Sequence, residues 1–173
     1  YAERVLFGDT LEDKLALPET AEDTQRGAAL LGAVTPSRPA GLGLAKAGGA
    51  RVSFPKLAQL DDEKARGHVL HFFANHELLA LELMALALLK FPDAPQKFRR
   101  GVVQTLKDEQ EHVRMYRRRM DEIGVEFGQI PVSDYFWKAI APMRSPSDFV
   151  TGLSLTLEQA NLDYAIHYAG AYE

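Results

Sequence analysis

Apolar residues recur at spacings of three and four from Asp61 onward, the period of helices that pack on one another. The first such helix starts near Asp61 or Asp62, with acidic residues in its first turn. It runs to about Lys90, where Phe91-Pro92-Asp93 breaks it. Asp93 is placed to cap a second helix with Pro95 in its first turn. That helix continues through Met120 to Ile123, and Gly124 stops it. At about 30 residues it spans roughly 45 Å. Two long helices joined by so tight a turn form an antiparallel hairpin. A connector follows from Gly124 to Pro131, and Ser133 caps a short helix from Asp134 to about Ala141. After a break over Pro142 to Ser145, Ser145-Pro146-Ser147-Asp148 reads as a capping box. It opens a third long helix that runs to near Tyr172. No segment reads as a β-hairpin.

The first sixty residues lack this order. A short helix fits around Thr10–Leu15. From Pro18 to Pro55 the chain is rich in Gly, Ala and Pro, and no apolar period persists. A loop of that length is a functional flap, a wrapping arm or disorder. Residues 1–60 are therefore expected to form an irregular arm over an all-α bundle of residues 61–173, with three long helices and one short one. The most apolar stretch, Leu78 to Leu89, contains Glu82 and falls short of the roughly 20 residues a spanning helix needs. It reads as a buried helix, with no membrane partner.

Within this pattern a few charged residues stand where apolar ones belong. One stripe of the second helix is Phe98, Val102, Thr105, Glu109, His112, Tyr116, Met120 and Ile123, apolar at both ends with a Glu-x-x-His pair in its middle. Residues three apart on a helix reach one ion, and a metal compensates a buried carboxylate that would otherwise be very costly. The first helix carries Glu77 in the stripe Leu70, Phe73, Glu77, Ala80, Met84, and Glu82 in a second stripe. Glu77 lies 15 residues before Pro92 and Glu109 lies 17 after it, so the hairpin brings them to nearly one height. Glu82 sits more than a turn nearer the bend and is the second choice. The third helix places Glu158 in the stripe Thr151, Leu155, Glu158, Leu162, Ala165, Ala169. His68, His71 and His76 read as interior or surface histidines with hydrogen bonds. Arg117-Arg118-Arg119 reads as a solvated face.

Composition narrows the chemistry. The chain has no cysteine, which excludes disulfides, thiolate zinc sites, iron–sulfur clusters and thiol nucleophiles. A metal here must be held by His and carboxylate, a donor set suited to iron, manganese or zinc. The absence of disulfides and of a signal-like start fits a cytoplasmic protein. The net charge of −4 argues against a nucleic-acid partner.

Glu77 on one helix followed by Glu109-Gln110-Glu111-His112 on the next resembles the first half of the ferritin-like di-iron carboxylate superfamily. Glu158 is similar to the start of its second half. The wider text from His71 to Glu82 and from Glu158 to Asp163 resembles an uncharacterised bacterial branch of that superfamily, a domain of unknown function. The resemblance implies two iron (Fe) ions, with manganese (Mn) as the alternative, held by Glu77, Glu109, His112 and Glu158, with Tyr116 beside them as a supporting group. Glu109 and Glu158 would bridge the ions. It implies an oxidoreductase acting with dioxygen or peroxide on a small-molecule substrate. An iron-storage protein and a metal-free helical module are the alternatives. The superfamily pattern also has a second Glu-x-x-His on a fourth helix, which this chain lacks. Four of six expected ligands are present. The fourth helix is expected to be missing from this chain; a second subunit, a mononuclear site or no metal are the other readings. An uncovered bundle face would favour a homodimer.

Overall fold

The computed structural model describes residues 1–18, 23–44 and 54–153. Glu158 and the continuation of the third long helix to Tyr172 lie outside the described residues. Those described are mostly helical and contain no strand. An isolated bridge pairs Leu44 with Val132.

Two 28-residue helices form the centre, α3 (Glu63–Lys90) and α4 (Gln96–Ile123). The α3 N-terminus is set by Asp62, whose carboxylate accepts from the Lys64 and Ala65 amides. Gly124 closes α4 in the left-handed region at φ 76°, where its amide reaches the Asp121 and Met120 carbonyls. The turn between the helices differs from expectation at one point. The cap of α4 is Pro95 rather than Asp93. A proline disfavours helical backbone in the residue before it, so the helix cannot extend back across Ala94. The α3 carbonyls at this end are taken by the buried Arg99, which donates to Leu88 and Phe91.

Helix α3 is apolar all round and α4 on one side, and their surroundings follow. Leu78, Leu81 and Leu83 of α3 are wholly buried. The helix is long and apolar enough by composition to cross a membrane, but 83% of its apolar window is buried within the protein. It is the core helix, with α4 on one side and shorter elements on the others. At its start, Gly67 lets the chain after α4 come close; a Cβ there would lie 2.5 Å from Val125 Cγ2.

Residues 1–60 are not irregular throughout. Thr10 caps α2 (Leu11–Leu15), close to the expected short helix, its hydroxyl accepting from the Asp13 amide. A further helix, α1 (Ala2–Phe7), precedes it. Six residues are too few to be helical alone, and packing holds this one: Val5 and Leu6 are wholly buried. Residues 23–44 then run across the hairpin. The Leu30 amide donates to Leu89, the Ser37 amide donates to Leu6, and the Val34 carbonyl accepts from Trp137 Nε1. Trp137 belongs to α5 (Tyr135–Ile140), and α6 (Pro146–Val150) opens where Ser145 accepts from the Asp148 amide.

Candidate metal centre

The equal lengths of α3 and α4 decide which side chains meet. Glu77 lies 13 residues before the end of α3 and Glu109 lies 13 after the start of α4, so the two stand opposite each other. His112 is one turn further along α4. Donor atoms of Glu77, Glu109 and His112 all lie within 4.8 Å of one another. His112 Nδ1 is 2.7 Å from Glu109 Oε2, within hydrogen-bond distance. Tyr116, the next turn of α4, stacks on Phe73 of α3 with ring centroids 6.1 Å apart.

The donor set fits a metal ion. Bonds of about 2.0–2.2 Å put two ligands of one ion roughly 3 Å apart when adjacent and about 4.2 Å apart when opposite. Donors within 4.8 Å reach those separations through small side-chain rotations. Two carboxylates and an imidazole, without thiolate, suit iron, manganese or zinc.

The centre is less enclosed than the stripe implies. Glu109 has 7% of its side chain exposed, whereas His112 has 47%. The wholly buried residues of α4 are Leu106, Gln110, Val113 and Met120. The buried face is thus turned by about one residue from the expected stripe, toward Gln110, whose side chain meets Tyr1 and the carbonyls at the end of α2. That rotation sets His112 at the rim.

Glu82, the second-choice ligand, is not in this cluster. It is wholly buried, and two cations hold it: Lys14 Nζ at 3.1 Å and Arg38 Nη2 at 2.7 Å. Arg38 Nε also donates to Glu82, and its Nη1 donates to the Leu42 carbonyl and Asn75 Oδ1. Lys14 completes its three donations at the Val5 and Leu6 carbonyls of α1. The inward carboxylate was visible in the sequence as an anomaly. Its partners were not, because they come from 68 and 44 residues away in segments without periodicity.

Of the three histidines, His71 and His76 are interior. His71 Nε2 accepts from the Gly128 amide, and the His76 ring sits 4.0 Å from that of Phe136. Burial holds both imidazoles well down, to about 4. In the arginine run, Arg119 pairs with Glu122 on the exposed face of α4. Two further buried polar side chains face the interior without standing out in the sequence. Gln110 and Arg99 are polar residues on the inner face of α4, and their spacing from Leu106 and Val102 is the signal that could have found them.

A family model described as "Protein of unknown function (DUF455)" matches residues 8–171. No match was found among curated proteins or among solved structures.

Proposed function

The chain belongs to the DUF455 family of proteins of unknown function, and from that premise we propose that it is a metal-binding protein of ferritin-like fold. The observation that carries the reading is the convergence of Glu77, Glu109 and His112 donors from two facing helices to within 4.8 Å. Iron is the metal of choice, with manganese second, and Glu158 is the fourth ligand. Bound there, iron would supply one-electron chemistry with dioxygen or peroxide.

The chain's own groups define what must happen on loading. Glu109 and His112 already meet, Oε2 to Nδ1, at 2.7 Å. Ligation would need a bare carboxylate oxygen and an imidazole nitrogen lone pair turned to the ion, so this direct contact would open to admit an ion between the two. Glu109, withdrawn from water, would anchor the metal. His112, half in solvent, gives the entry side. Tyr116 and Phe73, stacked on the adjacent turn, would shield that side from water. An oxidase or oxygenase acting on a small molecule is the preferred activity.

A second reading, iron binding without an organic substrate, is favoured by the 47% exposure of His112, which suits an exchangeable ion. Oxygen uptake separates the two. Protein loaded with Fe(II) without air and then exposed to dioxygen is expected to consume it faster than free Fe(II). The Glu109→Ala/His112→Ala double variant is expected to fall back to the free-iron rate. Sustained uptake with added reductant marks the oxidase, and a single stoichiometric burst marks the binding protein. Equal rates with and without the two ligands would contradict both.

A further inference from the structure

The side of α4 turned away from His112 carries a polar arrangement that the metal chemistry does not use. Gln110 is wholly buried beside Glu109. Its Nε2 donates to the Lys14 carbonyl at 2.8 Å and to the Ala16 carbonyl at 3.1 Å. Its Oε1 accepts from the Tyr1 hydroxyl at 3.0 Å. Arg114, one turn on, donates to the Leu15 carbonyl between those two. Three successive carbonyls at the end of α2, which the helix itself leaves unsatisfied, are thereby capped by two side chains of α4.

Lys14 also acts in the opposite direction. Its wholly buried ammonium donates to Glu82 of α3, five residues beyond Glu77. One residue of α2 therefore holds α3 by its side chain and α4 by its main chain. The two attachment points, Glu82 and Gln110, flank Glu77 and Glu109 on the same two helices. Arg38 adds a second tie to α3, spanning Glu82 and Asn75 on either side of Glu77. A buried network in which every donor is satisfied is rigid, because any displacement leaves a charge or carbonyl without its partner in a dry interior.

We propose that Lys14 and Gln110 are positioning residues for the Glu77–Glu109–His112 centre: together they clamp α2 across the hairpin and fix the separation of α3 and α4 at the height of the ligands. The inference rests on the metal-binding reading for its consequence, and on hydrogen-bond geometry alone for the clamp. It assigns the N-terminal segment a task beyond covering the core. Loosening that segment lowers metal affinity without touching a ligand.

The test compares three full-length proteins: wild type, Gln110→Met and Gly67→Ala. Gln110→Met keeps the volume and removes the donations to α2. Gly67→Ala strains the far end of the hairpin against Val125 and serves as the control for stability loss alone. Lys14→Met supplies a second clamp variant should Gln110→Met fail to fold. Co(II) is the probe, titrated by its visible absorption. Because the chain has no cysteine, Phe72→Cys and Met115→Cys, at exposed positions, give unique spin-label sites on α3 and α4.

Gln110→Met is expected to weaken Co(II) binding about 10- to 100-fold, the range seen when groups supporting a ligand are lost. It is also expected to broaden the interspin distance distribution. Gly67→Ala should do neither, at a temperature offset that equalises the folded fractions. Unchanged affinity and unchanged distances in the clamp variants would overturn the proposal, as would equal losses in Gly67→Ala. Should wild type bind no Co(II), the metal reading falls, and the interspin distances alone then decide whether the clamp sets the hairpin.

Discussion

Arg38→Met is expected to lower the unfolding free energy by about 3–5 kcal/mol, the cost of removing one partner from a buried charge network. The magnitude follows from what the substitution strands. Glu82 is wholly buried and, among the described residues, would keep Lys14 as its cation. The Leu42 carbonyl and the Asn75 side chain would each lose a donor. Burial already disfavours the Lys14 ammonium, and Glu82 is the main group offsetting that. Chemical denaturation monitored by circular dichroism reads the loss directly. Replacing the three charges together, as Lys14→Met/Arg38→Met/Glu82→Leu, should recover most of it, because a buried ionic group exchanged for packed apolar side chains is often neutral or stabilising. An Arg38→Met protein within about 0.5 kcal/mol of wild type, the range of ordinary surface substitutions, would show that the network is not closed as described.

Acid sensitivity is the second large effect. Neutral His71 accepts from the Gly128 amide, and its protonation would replace that acceptor with a second donor. Burial lowers both His71 and His76 from 6.5 to about 4. In the unfolded chain both titrate near the ordinary value. Between about pH 6.5 and 4 the unfolded state therefore binds more protons, so stability falls as pH falls through that window. It is complete above the unfolded value and lost progressively below it. Each histidine contributes up to about 3 kcal/mol of this loss. Urea midpoints at pH 7, 6 and 5 should decline steadily, and His71→Gln should make the decline shallower. Midpoints constant over that range would show that these imidazoles are not buried in their neutral form.

Where the sequence was informative, the reason is local. Gly124 needs a left-handed backbone, Ser145 and Thr10 need short-range amides, and a 28-residue helix shows its own period. Those features are decided within a few positions and were legible. The pairing of Glu77 with Glu109 was legible too, because a hairpin with a short turn converts sequence distance into height. What was not legible depends on residues far apart. Helix α1 exists because Val5 and Leu6 are covered, and no local pattern announces that. Glu82 looked like a ligand candidate for the same reason that Glu77 did. Only the arrival of Lys14 and Arg38 from the aperiodic segment separates the two. The rim position of His112 likewise goes with the distant contacts of Gln110 at the end of α2, on the opposite side of α4.

Gln110 connects these observations. It stands next to a proposed ligand and would pass as an ordinary surface residue between Glu109 and Glu111. Its burial follows from the carbonyls it satisfies on α2. The same contacts that leave His112 at the surface thus hold the hairpin at one spacing.

Glu77, Glu109 and His112 are proposed to hold a metal. Elemental analysis of the as-purified full-length protein, beside a Glu109→Ala/His112→Ala variant, tests it most directly. Wild type is expected to carry at least one iron or manganese per chain and the variant close to none, with the fold intact by circular dichroism. No transition metal in wild type, or equal metal in both proteins, would contradict it.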